Sequence, residues 1–200
     1  MERVSFPPPG RSGRVPLLWS QAFPSCVAPS DRVATVRLWE SVAPPLGLLV
    51  DGDEGASEID VIIESASWVW FIEAKYRSDI STGTTTRPDR DQIVRNLDVG
   101  SNYAGVRRFF FSLLVSSEQR SPIGMQRLRE YQDLEVVRTK LERHRPDRLM
   151  NLEAIGSLTW VQLGATLAHA EVNAPHEDER LYANRAVAWL RDRGHTIGAV

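Results

Sequence analysis

Two nearly continuous apolar runs, separated by three small residues, constrain the fold of this chain more than any other feature. The runs are EIDVIIE, from Glu58 to Glu64, and WVWFIEAKY, from Trp68 to Tyr76, and the residues between them are Ser-Ala-Ser. Runs of this length, rich in Val, Ile and aromatic residues, are typical of strands. The sequence therefore predicts an antiparallel hairpin at the centre of a sheet that is covered on both faces.

The remaining segments predict a mixed α/β domain around this hairpin. Helices are predicted at residues 31–43 and 89–104 and in several segments after residue 121, and further strands at 45–50, 106–116 and 155–158. Thr159 with Gln162 forms a capping box, and Gly194 ends the last helix. We expect one domain over residues 31–200, with a mixed central sheet and helices on both faces, after an irregular Pro-rich arm over residues 1–30.

Composition narrows the classes of function. Hydrophobic residues make up 42% and charged residues 25% of the chain, as in folded globular proteins, and the formal net charge of −2 does not by itself indicate a nucleic-acid partner. No run is apolar and long enough for a membrane helix, and the first residues lack the apolar stretch of a secretory signal. We therefore expect a cytoplasmic protein with no membrane partner. Cys26 is the only cysteine, which excludes a cysteine-based metal site.

Three charged side chains interrupt the apolar hairpin at one end. Side chains alternate across a strand, so Glu73 and Lys75 share a face, and a hairpin in suitable register brings Asp60 beside Glu73. Two carboxylates, with water and phosphate oxygens, suit a hard cation such as Mg²⁺ or Mn²⁺. A neighbouring lysine can orient a water molecule and stabilise negative charge on a phosphoryl group. The pattern therefore predicts metal-assisted hydrolysis of a phosphodiester.

The spacing of these residues resembles that of a known superfamily. Asp60, twelve intervening residues and then Glu73-Ala74-Lys75, after a predicted helix that bears Glu40, resemble the PD-(D/E)xK, or restriction-endonuclease-like, nucleases. The resemblance implies that Asp60 and Glu73 bind Mg²⁺ or Mn²⁺, with the Ala74 carbonyl and Glu40 as further ligands, and that Lys75 serves catalysis. The residue before Asp60 is isoleucine, where the family name has proline.

Further polar residues near the hairpin complete the predicted site. Gln92, on the helix after the lysine strand, resembles a polar catalytic position that many members of the superfamily carry. Asn96 and Tyr103 follow on roughly the same helical face as candidates to face the substrate. The candidate phosphate contacts are Arg87, Arg90 and Arg95. We expect a nuclease acting on nucleic acid, with DNA as the expected substrate, as a homodimer or within a larger complex.

Each assignment has an alternative. The charged residues of the hairpin could form a structural salt-bridge cluster, although burying such a cluster is costly unless it is well paired. Glu40 could be a helix-surface carboxylate, the arginines could be solvated, and Gln92 could close a capping box from Asp89. For the whole protein, the alternatives are a catalytically silent module of the same fold that binds nucleic acid or assembles into a complex, and a hydrolase of another phosphate ester.

Overall fold

A mixed sheet forms the centre of the protein. The computed structural model describes residues 3–5, 33–46, 55–83, 88–142, 145 and 149–195, and within them six strands lie side by side in chain order. The strands are β1 Arg3–Ser5, β2 Val33–Val42, β3 Ser57–Glu64, β4 Trp68–Lys75, β5 Arg108–Val115 and β6 Leu152–Thr159. Neighbours from β1 to β4 are antiparallel, and β4, β5 and β6 run parallel.

Helices pack on both faces of this sheet, as the sequence predicted. The described helices are α1 Gln92–Ala104, α2 Pro122–Tyr131, α3 Leu134–Leu141, α4 Trp160–Asn173 and α5 Glu177–Asp192. Helices α1, α2 and α3 pack on one face, called face A, through Ile93, Leu128 and Val137. Helix α4 packs on the opposite face, face B, through Trp160 and Leu163, and α5 packs against α4. The mixed α/β class is therefore confirmed.

The predicted hairpin is confirmed as β3 and β4. The two strands pair antiparallel, and Ser65 Oγ in the turn accepts hydrogen bonds from two backbone amides at 3.2 and 3.3 Å. Val69 and Phe71 are buried on face A, whereas Trp68 and Trp70 are buried on face B. Burial on both faces explains why this strand is almost continuously apolar.

The helix predicted at residues 31–43 is wrong, because residues 33–42 form β2. This strand pairs antiparallel with β3 and places Glu40 opposite Ile59. The segment VATVRLWESV carries β-branched residues and alternates apolar with polar positions over residues 34–38, so it matches a strand as well as a helix. Pairing with the central hairpin decides between the two, because tertiary contacts override local propensity. The sheet thus gains a strand where a helix was expected.

The predicted N-terminal arm is only partly described. Arg3–Ser5 form β1, which pairs with the start of β2, so this part of the arm is a strand and is not irregular. Residues 6–30 lie outside the described residues. Pro45 and Leu46 are not in a strand, and residues 47–50, the rest of the strand predicted there, also lie outside the described part of the chain.

Two of the predicted helix-end signals, one at the start of α4 and one after α5, are confirmed. Thr159 Oγ1 accepts from the Gln162 amide at 3.1 Å, and Gln162 Oε1 accepts from the Thr159 amide at 2.8 Å, which completes the capping box of α4. Gly194, two residues after α5, has a φ of 80°, which is the left-handed conformation that glycine adopts most readily. Among the described residues, no helix has both the length and the apolar composition needed to cross a bilayer.

The two C-terminal helices are bonded to the end of β4. Trp160 Nε1, at the start of α4, donates a hydrogen bond to the Lys75 carbonyl at 3.2 Å. The Tyr76 hydroxyl donates to the Arg193 carbonyl, just after α5, at 2.9 Å. The rings of Tyr76 and Trp160 also meet edge to face, with centroids 6.3 Å apart. These contacts hold the last residues of β4 in place from face B.

A buried ion triad joins α1 to the segment before β6. Asp98 is 0% exposed, and its Oδ2 and Oδ1 atoms accept hydrogen bonds from Arg90 at 2.7 Å and from Arg145 at 2.8 Å. Arg145 also donates to the Asp98 carbonyl at 2.7 Å and to Ser101 Oγ at 3.0 Å. We call Asp98, Arg90 and Arg145 the Asp98 triad. The central carboxylate is the partner that the two guanidinium groups share.

Candidate functional site

The Glu73 carboxylate lies at the centre of a cluster of polar side chains. It sits near the end of β4 on face A and is only 3% exposed. Its Oε1 atom is 2.8 Å from Lys75 Nζ and accepts a hydrogen bond from Gln92 Nε2 at 2.6 Å. Its Oε2 atom accepts from Asn96 Nδ2 at 2.9 Å. Three donors from two elements therefore fix a buried carboxylate in one orientation.

Asp60 lies where strands β3 and β4 separate. The last residue pair of their ladder is Val61 with Ile72, so Asp60 is the first residue of β3 beyond the pairing. Its Oδ2 atom accepts a hydrogen bond from the Ala74 amide at 2.7 Å. The side chain therefore leans across to β4, beside Glu73. The structure thus brings together Asp60, Glu73 and Lys75, as the sequence predicted.

The pKa of the Glu73 carboxyl is raised above its ordinary value. Burial is the main cause, because a desolvated carboxylate is disfavoured, and the negative charge of Asp60 adds to the rise. The ammonium of Lys75 and the hydrogen bond from Asn96 act in the opposite direction and only partly compensate. A cation bound between the two carboxylates would stabilise their ionised forms and would therefore oppose this rise in pKa.

Gln92 is oriented by hydrogen bonds at both ends of its side-chain amide. Its Oε1 atom accepts from the Ser81 amide at 3.2 Å, while its Nε2 atom donates to Glu73. Its own backbone amide donates to the Ser81 carbonyl at 2.9 Å. The capping box from Asp89 is therefore wrong. Helix α1 begins at Gln92 and is capped by Asp91, which accepts from the Val94 amide at 3.0 Å.

Asn96 has a role that the sequence indicated only in part. It was expected to face the substrate, but it is 2% exposed and donates to Glu73. Its position four residues after Gln92 is the signal that could have identified it, because such pairs lie on one face of a helix. Tyr103 lies elsewhere: its hydroxyl donates to both oxygens of Glu64 at 3.1 Å, at the turn end of the hairpin.

The three predicted phosphate contacts have different outcomes. Arg87 lies outside the described residues. Arg90 is 3% exposed and belongs to the Asp98 triad, so its burial is inconsistent with the predicted phosphate contact. Arg95 is half-buried on α1, between Gln92 and Asn96, and its Nη2 atom donates to Ser57 Oγ on β3 at 3.2 Å. Arg95 is therefore the described candidate that stays partly exposed, on the same helix as Gln92 and Asn96.

Glu40 lies on β2 and not on a helix. It pairs in the ladder with Ile59, the residue before Asp60, so its backbone is one strand away from the carboxylate pair. Among the described residues, no group of three acidic or imidazole side chains gathers in a way that would hold a metal ion. A metal-ligand role for Glu40 stays a prediction.

The carboxylate oxygens at this end of the hairpin are suitable ligands for a hard divalent cation. Asp60 and Glu73 offer carboxylate oxygens, which are the ligands that Mg²⁺ and Mn²⁺ prefer, and such ions often keep several waters and use only one or two carboxylates. Burial and the negative charge of Asp60 raise the pKa of Glu73, and a cation held by the pair would act in the opposite direction. The Ala74 amide donates a hydrogen bond to Asp60. A metal-ligand role for the Ala74 carbonyl stays a prediction.

Comparison of the chain with protein-family models, with curated proteins and with solved structures gives no match. The function is therefore inferred from the chemistry of the site, which is the more direct basis because one fold can host many activities.

Proposed function

We propose that the protein is a Mg²⁺- or Mn²⁺-dependent nuclease of the PD-(D/E)xK type that hydrolyses phosphodiester bonds, with DNA as the expected substrate. The observation that carries this proposal is the meeting of Asp60, Glu73 and Lys75 at the open end of one hairpin. Lys75 pairs with Glu73 at 2.8 Å, while the carboxylate of Asp60 is held against the same strand by the Ala74 amide. Burial and the charge of Asp60 raise the pKa of Glu73 despite the ammonium of Lys75.

Each residue of the site has a separate role in the proposed reaction. Asp60 and Glu73 would hold the cation, which when bound supplies positive charge that offsets their repulsion and stabilises charge developing on phosphorus. Lys75 would orient the attacking water and donate to a phosphoryl oxygen, since its ammonium is a compact donor on a flexible stem. Gln92 and Asn96 fix the Glu73 carboxylate. Arg95 would contact a neighbouring phosphate.

Lys75→Ala is expected to lower the rate of nucleic-acid cleavage by about 10²- to 10⁴-fold, the usual contribution of a positioned acid or base, while Mn²⁺ binding and the fold persist. The assay is cleavage of single-stranded DNA, duplex DNA and RNA with Mg²⁺ or Mn²⁺, against a chelator. Lys140→Ala is the matched control. Lys140 is the other lysine of the chain, its ammonium lies 5.7 Å from the ring centroid of Tyr131, and its loss should leave the rate unchanged.

Two results would overturn the proposal together: no cleavage of any of these nucleic acids by the wild-type protein, and no change in Mn²⁺ binding on Asp60→Ala. Mn²⁺ binding that depends on Asp60, without any cleavage of nucleic acid, would instead favour the catalytically silent module or a hydrolase of another phosphate ester. A panel of small phosphate mono- and diesters separates those two outcomes.

Mn²⁺ binding is expected to weaken as the pH falls through the raised pKa of Glu73, because the ion and a proton compete for the same carboxylate.

For the metal-free protein, the folded state keeps this proton to a higher pH than the unfolded chain. The contribution of Glu73 to the free energy of unfolding therefore declines as the pH rises from the ordinary glutamate pKa through the raised one. Calorimetric titrations from mildly acidic to mildly alkaline pH, in buffers of different ionisation enthalpy, measure the affinity and the proton release. A pH-independent affinity would contradict this expectation.

A further inference from the structure

Two side-chain hydrogen bonds join the segment after β4 to the residues between β5 and α2. The Ser116 hydroxyl donates to the Tyr76 carbonyl at 2.5 Å, and the Ser121 hydroxyl donates to the Ser78 carbonyl at 3.2 Å. Ser121 occupies the residue position just before α2, where a serine side chain usually caps the helix. Its side chain makes no such cap hydrogen bond. The first amides of α2 therefore need another acceptor.

Asp79 supplies that acceptor from outside the helix. Its Oδ2 atom accepts from the Ile123 amide at 2.8 Å, and its Oδ1 atom accepts from the Gly124 amide at 2.9 Å. The same Oδ1 atom also accepts from the Ile80 amide at 2.7 Å. One carboxylate thus closes the N-terminus of α2 and fixes the backbone of its own loop, where the first-turn amides and the helix dipole both favour a negative charge.

Gly124 allows the loop to lie this close to α2. A Cβ atom at this position would lie 2.8 Å from Leu113 Cδ2, 3.1 Å from Asp79 Oδ1 and 3.2 Å from Ile80 Cγ2. Ile80 itself is buried at 5% exposure. The position of Asp79 is therefore set by packing on one side and by hydrogen bonds on the other.

The fixed loop leads directly to the candidate site. Ser81, two residues after Asp79, exchanges hydrogen bonds with Gln92 through both its amide and its carbonyl. A side-chain amide has one donor end and one acceptor end. The Ser81 amide occupies the acceptor end, so the donor end is presented to Glu73. Without that contact the amide could turn and place its oxygen against the carboxylate, which is repulsive.

We propose that Asp79 is a positioning residue: by capping α2 it places Ser81 so that Gln92 donates to, and thereby orients, the Glu73 carboxylate. The effect of Asp79 on Gln92 stands on these contacts alone. Its effect on metal binding and cleavage rests on the proposed nuclease function. Partners that orient a metal ligand typically change metal affinity or activity by about 10- to 100-fold when they are removed.

The test compares Asp79→Ala with Asp133→Ala. Asp133 is a matched control because it caps the neighbouring helix α3, where its side chain accepts from the Glu135 amide at 3.1 Å. Within the described part of the chain it makes no hydrogen bond to the site. Both variants should lower the thermal midpoint by a few degrees, as expected for loss of a helix cap. The loss should be larger for Asp79→Ala, because its carboxylate accepts from three amides. Only Asp79→Ala should speed hydrogen exchange at the Gln92 amide and weaken Mn²⁺ binding. The loss of affinity should not exceed the ~10- to 100-fold expected for removing a direct partner of the ligand such as Gln92.

Asp79→Asn provides a graded second variant. Asparagine keeps one acceptor oxygen of the two, so it should restore part of the slow exchange at Gln92 and part of the Mn²⁺ affinity. Unchanged exchange at Gln92 in Asp79→Ala would overturn the proposal, as would an equal change in Asp133→Ala. If the wild-type protein neither binds Mn²⁺ nor cleaves nucleic acid, the nuclease function fails, whereas the exchange experiment still decides whether Asp79 positions Gln92.

Discussion

Glu73→Gln is expected to abolish Mn²⁺ binding and to reduce nucleic-acid cleavage to background, while the protein stays folded. Glutamine is close to glutamate in size, and its single acceptor oxygen can keep one of the two hydrogen bonds that Gln92 and Asn96 now donate to the carboxylate at 2.6 and 2.9 Å. It lacks the negative charge that a divalent cation requires. The substitution removes a buried carboxyl whose ionisation is unfavourable, and it also removes the ion pair with Lys75 at 2.8 Å. These two effects on stability oppose each other, so the fold should persist.

Calorimetric titration with Mn²⁺, a cleavage assay and a thermal scan of the same preparation measure the three expected effects. Glu153→Gln is the matched control, because Glu153 lies on β6 at 43% side-chain exposure and pairs with Arg108 at 3.4 Å. This variant should keep wild-type binding and cleavage. Wild-type Mn²⁺ affinity in Glu73→Gln would show that the ion, if bound, is held elsewhere.

Asp98→Ala is expected to give the largest loss of stability, about 3–5 kcal/mol of unfolding free energy. The reason is that the substitution leaves Arg90 and Arg145, at 3% and 5% exposure, without their common carboxylate. Removing one partner of a buried ion pair costs more than the intact pair contributes. Here a single substitution removes a partner that two buried guanidinium groups share.

Urea unfolding of Asp98→Ala, followed by fluorescence, measures this loss. Glu118→Ala is the control, because Glu118 pairs with Arg129 at the same distance of 2.7 Å but on the surface, where both side chains are more than half exposed. Exposed pairs contribute only about 0–1 kcal/mol. Similar losses in the two variants would mean that the Asp98 triad is not a critical part of the folded state.

The candidate site could be predicted because its members depend on local geometry. Strand alternation alone puts Glu73 and Lys75 on one face, and a short turn brings Asp60 to the facing strand. The capping box of Thr159 and Gln162 is equally local, since both partners lie within one helical turn. In each case, the residues that contact one another are either close in sequence or linked by one hairpin.

The errors arose where distant residues decide the outcome. The segment 33–42 matched both a helix and a strand, and only its pairing with β3 selects the strand. Arg90 was expected at the surface, but it is buried in a triad with Asp98 and Arg145. Asp98 and Arg145 lie 47 residues apart, so no local pattern in the sequence indicates this contact. The role of Gln92 was ambiguous for a similar reason, because its partner Ser81 comes from a loop without periodicity.

The contacts at the end of β4 limit how far this protein could be reduced to a smaller unit. The Lys75 carbonyl is bonded to the Trp160 indole, and Tyr76 is bonded beyond α5 to Arg193. A shortened chain that stopped after β6 would keep every acidic and basic residue of the hairpin but would lose the donor and the acceptor that secure their strand. Grafting this hairpin onto another scaffold would therefore require transplanting its aromatic support as well.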